Sequence, residues 1–262
     1  MPELIDLCPG PGQREIIFGG TRAGKSAYQE WETRCIADSR PSAMQIIVDT
    51  KPRFRAETEP HPLWPANRRS AAYRYESWAS GPVVPNSVVC DIHSSHPFRG
   101  MFKRPGEVVI MQSGEADDWR RMLVVLNGFV KANIKDRERR IVVDEALDFY
   151  QRNTWGISPR NDVFYRASRA GGERNIGISL GAHRVHGLPP LVLSMCSVFV
   201  LFHLRQDSDM RYLRQYGIPD EKSPDGNYVF RRYEVQPGGT VSVPMTGICE
   251  YPQSYLNQLS AA

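Results

Sequence analysis

A chain of 262 residues that is 41% hydrophobic and 24% charged has the material for one α/β domain with additions. It contains no apolar run long enough to be a membrane span, and five scattered cysteines (Cys8, Cys35, Cys90, Cys196, Cys249) without metal-ligand spacing exclude a disulfide scaffold or a zinc module. The net charge of +4 hides a skew: only 6 of the 33 basic residues are lysine and the rest are arginine, whose planar fork suits phosphates and subunit interfaces.

The opening MPELIDLCPGPGQ has neither the basic start nor the apolar centre of a secretory leader. Glu15 to Phe18 reads as a first core strand, Gly24 to about Asp38 as the amphipathic helix that follows, and Gln45 to Asp49 as a second strand, which together make a βαβ beginning. From about residue 52 to about 105 the periodicity is lost among prolines, aromatics and arginines, so this stretch is expected to be an irregular insertion, with a short strand at Ser87 to Asp91. Gly106 to Gly114 restores a core strand, EADDWRRMLVVLNGFVKANIK supplies a long amphipathic helix, and Arg139 to Phe149 holds a buried strand with two acids at its exit. Asn161 to Ala170 suits a helix and Asn175 to Leu180 a strand. Leu188 onward reads as a short helix entering a last parallel strand, Ser197 to Leu204, with a polar helix around Ser208 to Tyr216. The end, from about residue 226 to 262, reads as a hairpin and tail. The pattern predicts one domain over 1–262, with a mostly parallel central sheet covered by helices on both faces.

Gly19-Gly20-Thr21-Arg22-Ala23-Gly24-Lys25-Ser26 matches GxxxxGK[ST] at every fixed position, between a strand and a helix, and Ala27 continues into that helix. Glycines let such a loop wrap phosphates, the backbone amides and the helix N-terminus supply positive potential, Lys25 reaches the β and γ phosphates, and Ser26 binds Mg²⁺. Ile141-Val142-Val143-Asp144-Glu145 supplies the second half: Asp144 for the Mg²⁺ shell and Glu145 to polarise an attacking water. The expected chemistry is ATP hydrolysis with Mg²⁺.

With these motifs, IIVDTKPR after the second strand and RAGGERNIGISLGAHR after the acid-tipped strand, the chain resembles the FtsK–HerA superfamily of DNA-pumping ATPases and, within it, viral genome-packaging ATPases. The resemblance runs from roughly Glu15 to Val235 and is diffuse from Arg53 to Pro105. It implies a RecA-like P-loop NTPase fold and a homo-oligomeric, hexameric ring that translocates double-stranded DNA. It also implies a capsid vertex protein as docking partner, and a place in the host cytoplasm during assembly or at a capsid vertex of the virion. The family's polar sensor, commonly glutamine, stands at the end of the strand after the acids; His183 matches that position, and a structural loop histidine is the other reading. The resemblance further implies an arginine acting on the neighbouring subunit's nucleotide. Arg169 and Arg174 fit better than Arg166, and each also suits a surface ion pair.

Contacts to the DNA backbone would come from basic loops. The candidates are Arg99 to Arg104, the Lys131 to Arg140 run, and the loop with Arg152, Asn153 and Arg160, whereas His203 reads as structural. Other readings of the same chain are a conjugation, secretion or filamentous-phage assembly ATPase, a nucleotide-dependent regulatory module, and a small-molecule kinase.

Overall fold

The computed structural model describes residues 7–49, 55–58, 83–90, 92, 106–112, 118–132, 137–148, 163, 166, 167, 169, 174–219, 221–226 and 228–249. In chain order the elements are β1 (Arg14–Phe18), α1 (Lys25–Ser39), β2 (Met44–Asp49), β3 (Arg55–Thr58), β4 (Val83–Val89), β5 (Val108–Gln112), α2 (Asp118–Lys131), β6 (Arg139–Val143), β7 (Ile176–Ala182), α3 (Pro190–Met195), β8 (Val198–Leu201), α4 (Asp207–Leu213), β9 (Val229–Glu234) and β10 (Met245–Ile248). The α4 helix tightens into a 3₁₀ turn over Arg214–Tyr216. Among the described residues no helix is long and apolar enough to cross a membrane.

All ten strands form one sheet in the order β10-β9-β8-β1-β7-β6-β2-β5-β4-β3. Every neighbouring pair is parallel from β8 through β3, while β9 runs antiparallel to both β8 and β10. The expected mostly parallel sheet flanked by helices is what forms, a RecA-like P-loop NTPase fold. Chain order does not reveal one feature: β7, which follows β6 in sequence, lies between β6 and β1. The insertion expected from about residue 52 to 105 contributes β3 and β4 to the sheet edge, so it is partly regular. The rest of it lies outside the described residues, as does most of the expected helix over Asn161 to Ala170, of which Val163, Arg166, Ala167 and Arg169 are helical.

The strands alternate between two chemically different faces. Ile16 and Phe18, Ile46 and Val48, Ile141 and Val143, and Ile178 and Leu180 point into one core with Met122, Val125, Leu126 and Phe129 of α2 and with Leu193 and Leu213 of α3 and α4. The α2 spacing is the i, i+3, i+4, i+7 stripe of an amphipathic helix. Each of its buried side chains contributes about 1.5–3 kcal/mol relative to exposure.

The other face meets α1, and here the expected apolar stripe is absent. The buried residues of α1 include Gln29, Glu30, Glu32 and Thr33 beside Tyr28 and Ile36. They are matched by polar residues on the strands. Arg140 of β6 pairs with Glu32 and, at 3.4 Å, with Glu15 of β1. Ser179 Oγ of β7 donates to Glu32 (2.8 Å), Tyr28 Oη donates to Glu15 (3.0 Å), and the Gln45 amide of β2 donates to the Thr33 carbonyl (2.9 Å). Arg232 of β9 lies 3.8 Å from Glu15 and pairs with Glu234. Buried charge survives where it is paired and hydrogen-bonded in this way.

The same geometry removes Arg139 and Arg140 from the Lys131 to Arg140 run read as a DNA-contacting surface. Arg139 and Arg140 are fully buried sheet residues. Arg139 caps α2, donating to the carbonyls of Phe129 (2.8 Å), Val130 (3.3 Å) and Ala132 (2.9 Å) at its C-terminal end. Lys131 and Arg137 remain exposed. The other two proposed DNA loops, Arg99 to Arg104 and Arg152 to Arg160, lie outside the described residues.

Burial, and then the Glu32 carboxylate, push the Glu15 pKa up to about 8 against the pull of Arg140 and Arg232. An unfolded glutamate titrates near ~4.3, so between these values the folded chain keeps a proton that the unfolded chain has released, and stability falls as pH rises through that window. Urea unfolding from about pH 5 to about pH 8 should therefore show a declining free energy for the native chain and a flatter profile for Glu15→Gln.

Candidate functional site

The parallel strands β1, β7 and β6 stand side by side and end together, so that the loop after β1, the residue after β7 and the acids after β6 converge at one edge of the sheet. The loop itself is held from both sides. Gly19 N donates to the Ala182 carbonyl at the end of β7 (3.2 Å), Gly20 N to the His203 carbonyl just past β8 (2.8 Å), and Tyr228 N to the Ala23 carbonyl (2.9 Å). Cys249 N in turn donates to the Tyr228 carbonyl (2.8 Å), which ties the β9–β10 hairpin to the loop. Gly24 has φ 116°, and a Cβ there would lie 2.8 Å from Phe202 and 2.9 Å from Tyr228, so only glycine suits this point. Arg22 also adopts a left-handed φ, 64°. Thr21 and Arg22 form the exposed outer turn, Ala23 and Ala27 are buried, and Ser26 is half-buried in the first turn of α1. Lys25 is buried, its ammonium donating to the carbonyls of Gly19 (2.7 Å) and Gly20 (3.2 Å).

Across the crevice, Asp144 and Glu145 leave β6 buried, with Asp144 N bonded to the Val48 carbonyl (3.1 Å). Two contacts fix the height of this tip. Gln29, one turn along α1 from Lys25 and Ser26, donates its amide to the Val143 carbonyl (2.8 Å). On β7, Gly181 lies so close that a Cβ built there would be 2.4 Å from the Asp144 carbonyl oxygen. His183 Nδ1 lies 2.9 Å from Glu145 Oε2. An ionised carboxylate accepts only, so beside it Nδ1 is the donor and Nε2 of the neutral ring is left as an acceptor. The Glu145 side chain is 5% exposed and that of His183 is 41% exposed, so the imidazole stands between the glutamate and solvent. The loop beyond it is anchored by buried Asp209 of α4, which accepts from the amides of Val185 (3.3 Å) and His186 (3.5 Å), and by the Arg184 to Gln206 bond (2.5 Å).

The sequence-predicted residues thus fall into two groups. Gly19 to Ala27, Asp144, Glu145 and His183 share the edge just described. Arg174 is exposed just before β7 begins; seven strand residues at about 3.3 Å each put it roughly 20 Å from the His183 end of the strand. Arg166 donates to Asn127 of α2, and Arg169 is exposed. His203 donates its Nδ1 proton to the Pro224 carbonyl (3.2 Å), in line with a structural part. Motif reading passed over Gln29, whose only sequence signal is its place one turn after Ser26, and left Asp49 without a part. Asp49 is buried at the end of β2, one residue beyond the Val48–Val143 pair.

These residues fit a nucleoside triphosphate with Mg²⁺. The left-handed Gly24 turn lets the loop curl into the start of α1, the Lys25 ammonium already sits on oxygen acceptors, and Ser26 and Asp144 offer the hard oxygen donors that Mg²⁺ prefers. Among the described residues no group of three or more His, Cys, Asp and Glu side chains is placed to hold a metal ion.

No protein-family model matches the sequence, and no curated protein matches it. Solved structures do. The DNA-packaging ATPase B204 from Sulfolobus Turreted Icosahedral Virus is 17% identical with a TM-score of 0.55, over 92% of this chain and 98% of that one. The genome packaging NTPase B204 from Sulfolobus turreted icosahedral virus 2, in complex with ATP-γS, is 15% identical with a TM-score of 0.54, over 90% and 98%. The pCW3 conjugation coupling protein TcpA with ATPγS is 13% identical with a TM-score of 0.50, over 97% of this chain and 66% of that one. At these identities the shared property is the fold.

The close approach at β7 makes a direct forecast. Gly181→Ala should destabilise the chain by about 1–3 kcal/mol, because a methyl group would displace the Asp144 carbonyl. Gly10→Ala, with nothing within 4 Å, should leave the denaturation midpoint nearly unchanged.

Proposed function

We propose that this chain is a Mg²⁺-dependent ATPase of the FtsK–HerA type whose hydrolysis drives double-stranded DNA, in the setting of viral genome packaging. The observation that carries the reading is the convergence of the Lys25 loop, the Asp144–Glu145 tip and His183 at three adjacent strand ends, with His183 bonded to Glu145 at 2.9 Å. Bound ATP supplies a terminal phosphoanhydride whose hydrolysis releases the free energy for movement. The loop amides and the Lys25 ammonium bind its phosphates, and Ser26 Oγ and the Asp144 carboxylate hold Mg²⁺. Glu145 takes the proton of the attacking water. His183 fixes the orientation of that carboxylate through its Nδ1 proton, and its Nε2, then an acceptor, takes a hydrogen bond from the attacking water, the part a polar sensor plays.

The packaging load is supported by the near-complete mutual coverage with B204, 92% of this chain and 98% of that one. A conjugation or secretion motor is the second reading, favoured by the 97% of this chain that aligns with TcpA. In either case the chain works as a homo-oligomeric, hexameric ring. Arg169 or Arg174 reaches the nucleotide of the next subunit, and a capsid vertex protein docks the packaging ring in the host cytoplasm or on the virion. The roughly 20 Å between Arg174 and the site of its own subunit supports an action across a boundary.

ATP turnover measured with and without double-stranded DNA, with particle mass followed in parallel, tests the reading; a monomer indifferent to DNA contradicts it. Lys25→Ala should lose nucleotide binding. Glu145→Gln should keep it while turnover falls by about a hundredfold or more, as expected when a general base is removed.

A further inference from the structure

We propose that Arg205 is a catalytic residue acting within its own subunit, its guanidinium contacting the terminal phosphates beside Lys25; this rests on the ATPase reading above. The strand order sets β8 against the flank of β1 opposite to β7, so the chain leaving β8 runs past the phosphate loop. The bond from Gly20 N to the His203 carbonyl (2.8 Å) pins that exit to the loop. Two residues on, Arg205 folds back over the same glycine: a methyl group built on Gly20 would lie 3.7 Å from Arg205 Nε and 3.8 Å from its Cγ.

The end of the loop that Arg205 covers is the one Lys25 marks. The Lys25 ammonium donates to the Gly20 carbonyl (3.2 Å), so both cations converge on one glycine. Coulomb repulsion between two such cations is relieved by an anion placed between them. Two other arginines nearby are less suited to that task. Arg184, just past His183, is committed to Gln206, and that bond also steadies the segment carrying Arg205. Arg22 lies on the exposed outer turn of the loop. Arg205 itself is exposed and, among the described residues, has no ion-pair or hydrogen-bonding partner, not even Asp207 two residues on. Its fork presents donors to phosphate oxygens in a geometry that a lysine reproduces only as a point charge. The crevice is then bounded by Glu145 and His183 on the β7 side and by Arg205 on the β8 side, a polarity in which base and cation face each other across the site.

The test compares the full chain with Arg205→Gln and Arg205→Lys in steady-state ATP turnover and in equilibrium binding of ATP-γS and AMP. The Gln variant should lose about a hundredfold in kcat/KM and bind ATP-γS more weakly while holding AMP as the native chain does, and the Lys variant should recover part of both losses. A kcat/KM within about twofold of native, or equal weakening of AMP and ATP-γS, overturns the assignment, the latter by marking Arg205 as a mere prop of the loop. Subunits carrying Arg205→Gln should stay inactive when mixed with Lys25→Ala subunits; recovered turnover would place Arg205 in a neighbour's site and overturn action within the subunit. A native chain without turnover defeats the hydrolase reading alone, because the binding comparison still tests Arg205.

Discussion

The placement of α1 is the constraint on which the site depends, and it is set by directional bonds. This helix begins with Lys25 and Ser26, so an error in its height becomes an error in the positions of the ammonium and the hydroxyl. A helix docked by an apolar stripe slides and rotates at little cost. Docking through Gln29 to Val143, Thr33 to Gln45, Glu32 to Arg140 and Ser179, and Tyr28 to Glu15 registers it on β1, β2, β6 and β7 within hydrogen-bond tolerance. Such a layer adds less stability than a hydrophobic one would. What it supplies is position. The opposite face, with α2, α3 and α4 on a continuous apolar core, carries the stability.

Position matters because the groups to be aligned come from distant parts of the chain. Lys25 and the Asp144–Glu145 tip are more than a hundred residues apart, and His183 reaches Glu145 only because β7 is inserted between β1 and β6. Gly181 and Gln29 act as spacers on either side of the β6 exit, one by having no side chain and the other by holding a carbonyl. In the proposed reading, Arg205 completes the enclosure from the far flank of the loop, so that every strand exit beside β1 contributes a group to the crevice.

Much of this was legible in the sequence, for physical reasons. The loop motif has fixed positions because phosphate geometry fixes them, and the apolar runs of β1, β2, β5, β6, β7 and β8 show as strands because both sheet faces are covered. The α2 helix announced itself by its stripe. The α1 helix shows through the loop motif it follows, but the character of its buried face does not, since that face is polar and its partners lie on strands scattered through the sequence. For the same reason Arg139-Arg140 looked like a basic surface: nothing local shows that one arginine ends a helix and the other faces two buried glutamates. Strand order, and with it the His183–Glu145 contact and the reach of Arg205, belongs to tertiary structure alone.

The hold of Tyr228 on the phosphate loop has a mechanical meaning. From the Ala23 carbonyl to the amide of Cys249, at the far end of the β9–β10 hairpin, the linkage is two peptide hydrogen bonds in series, with Tyr228 at a left-handed φ of 64° between them. A displacement of β10 therefore has a short route to the cradle that bypasses the sheet.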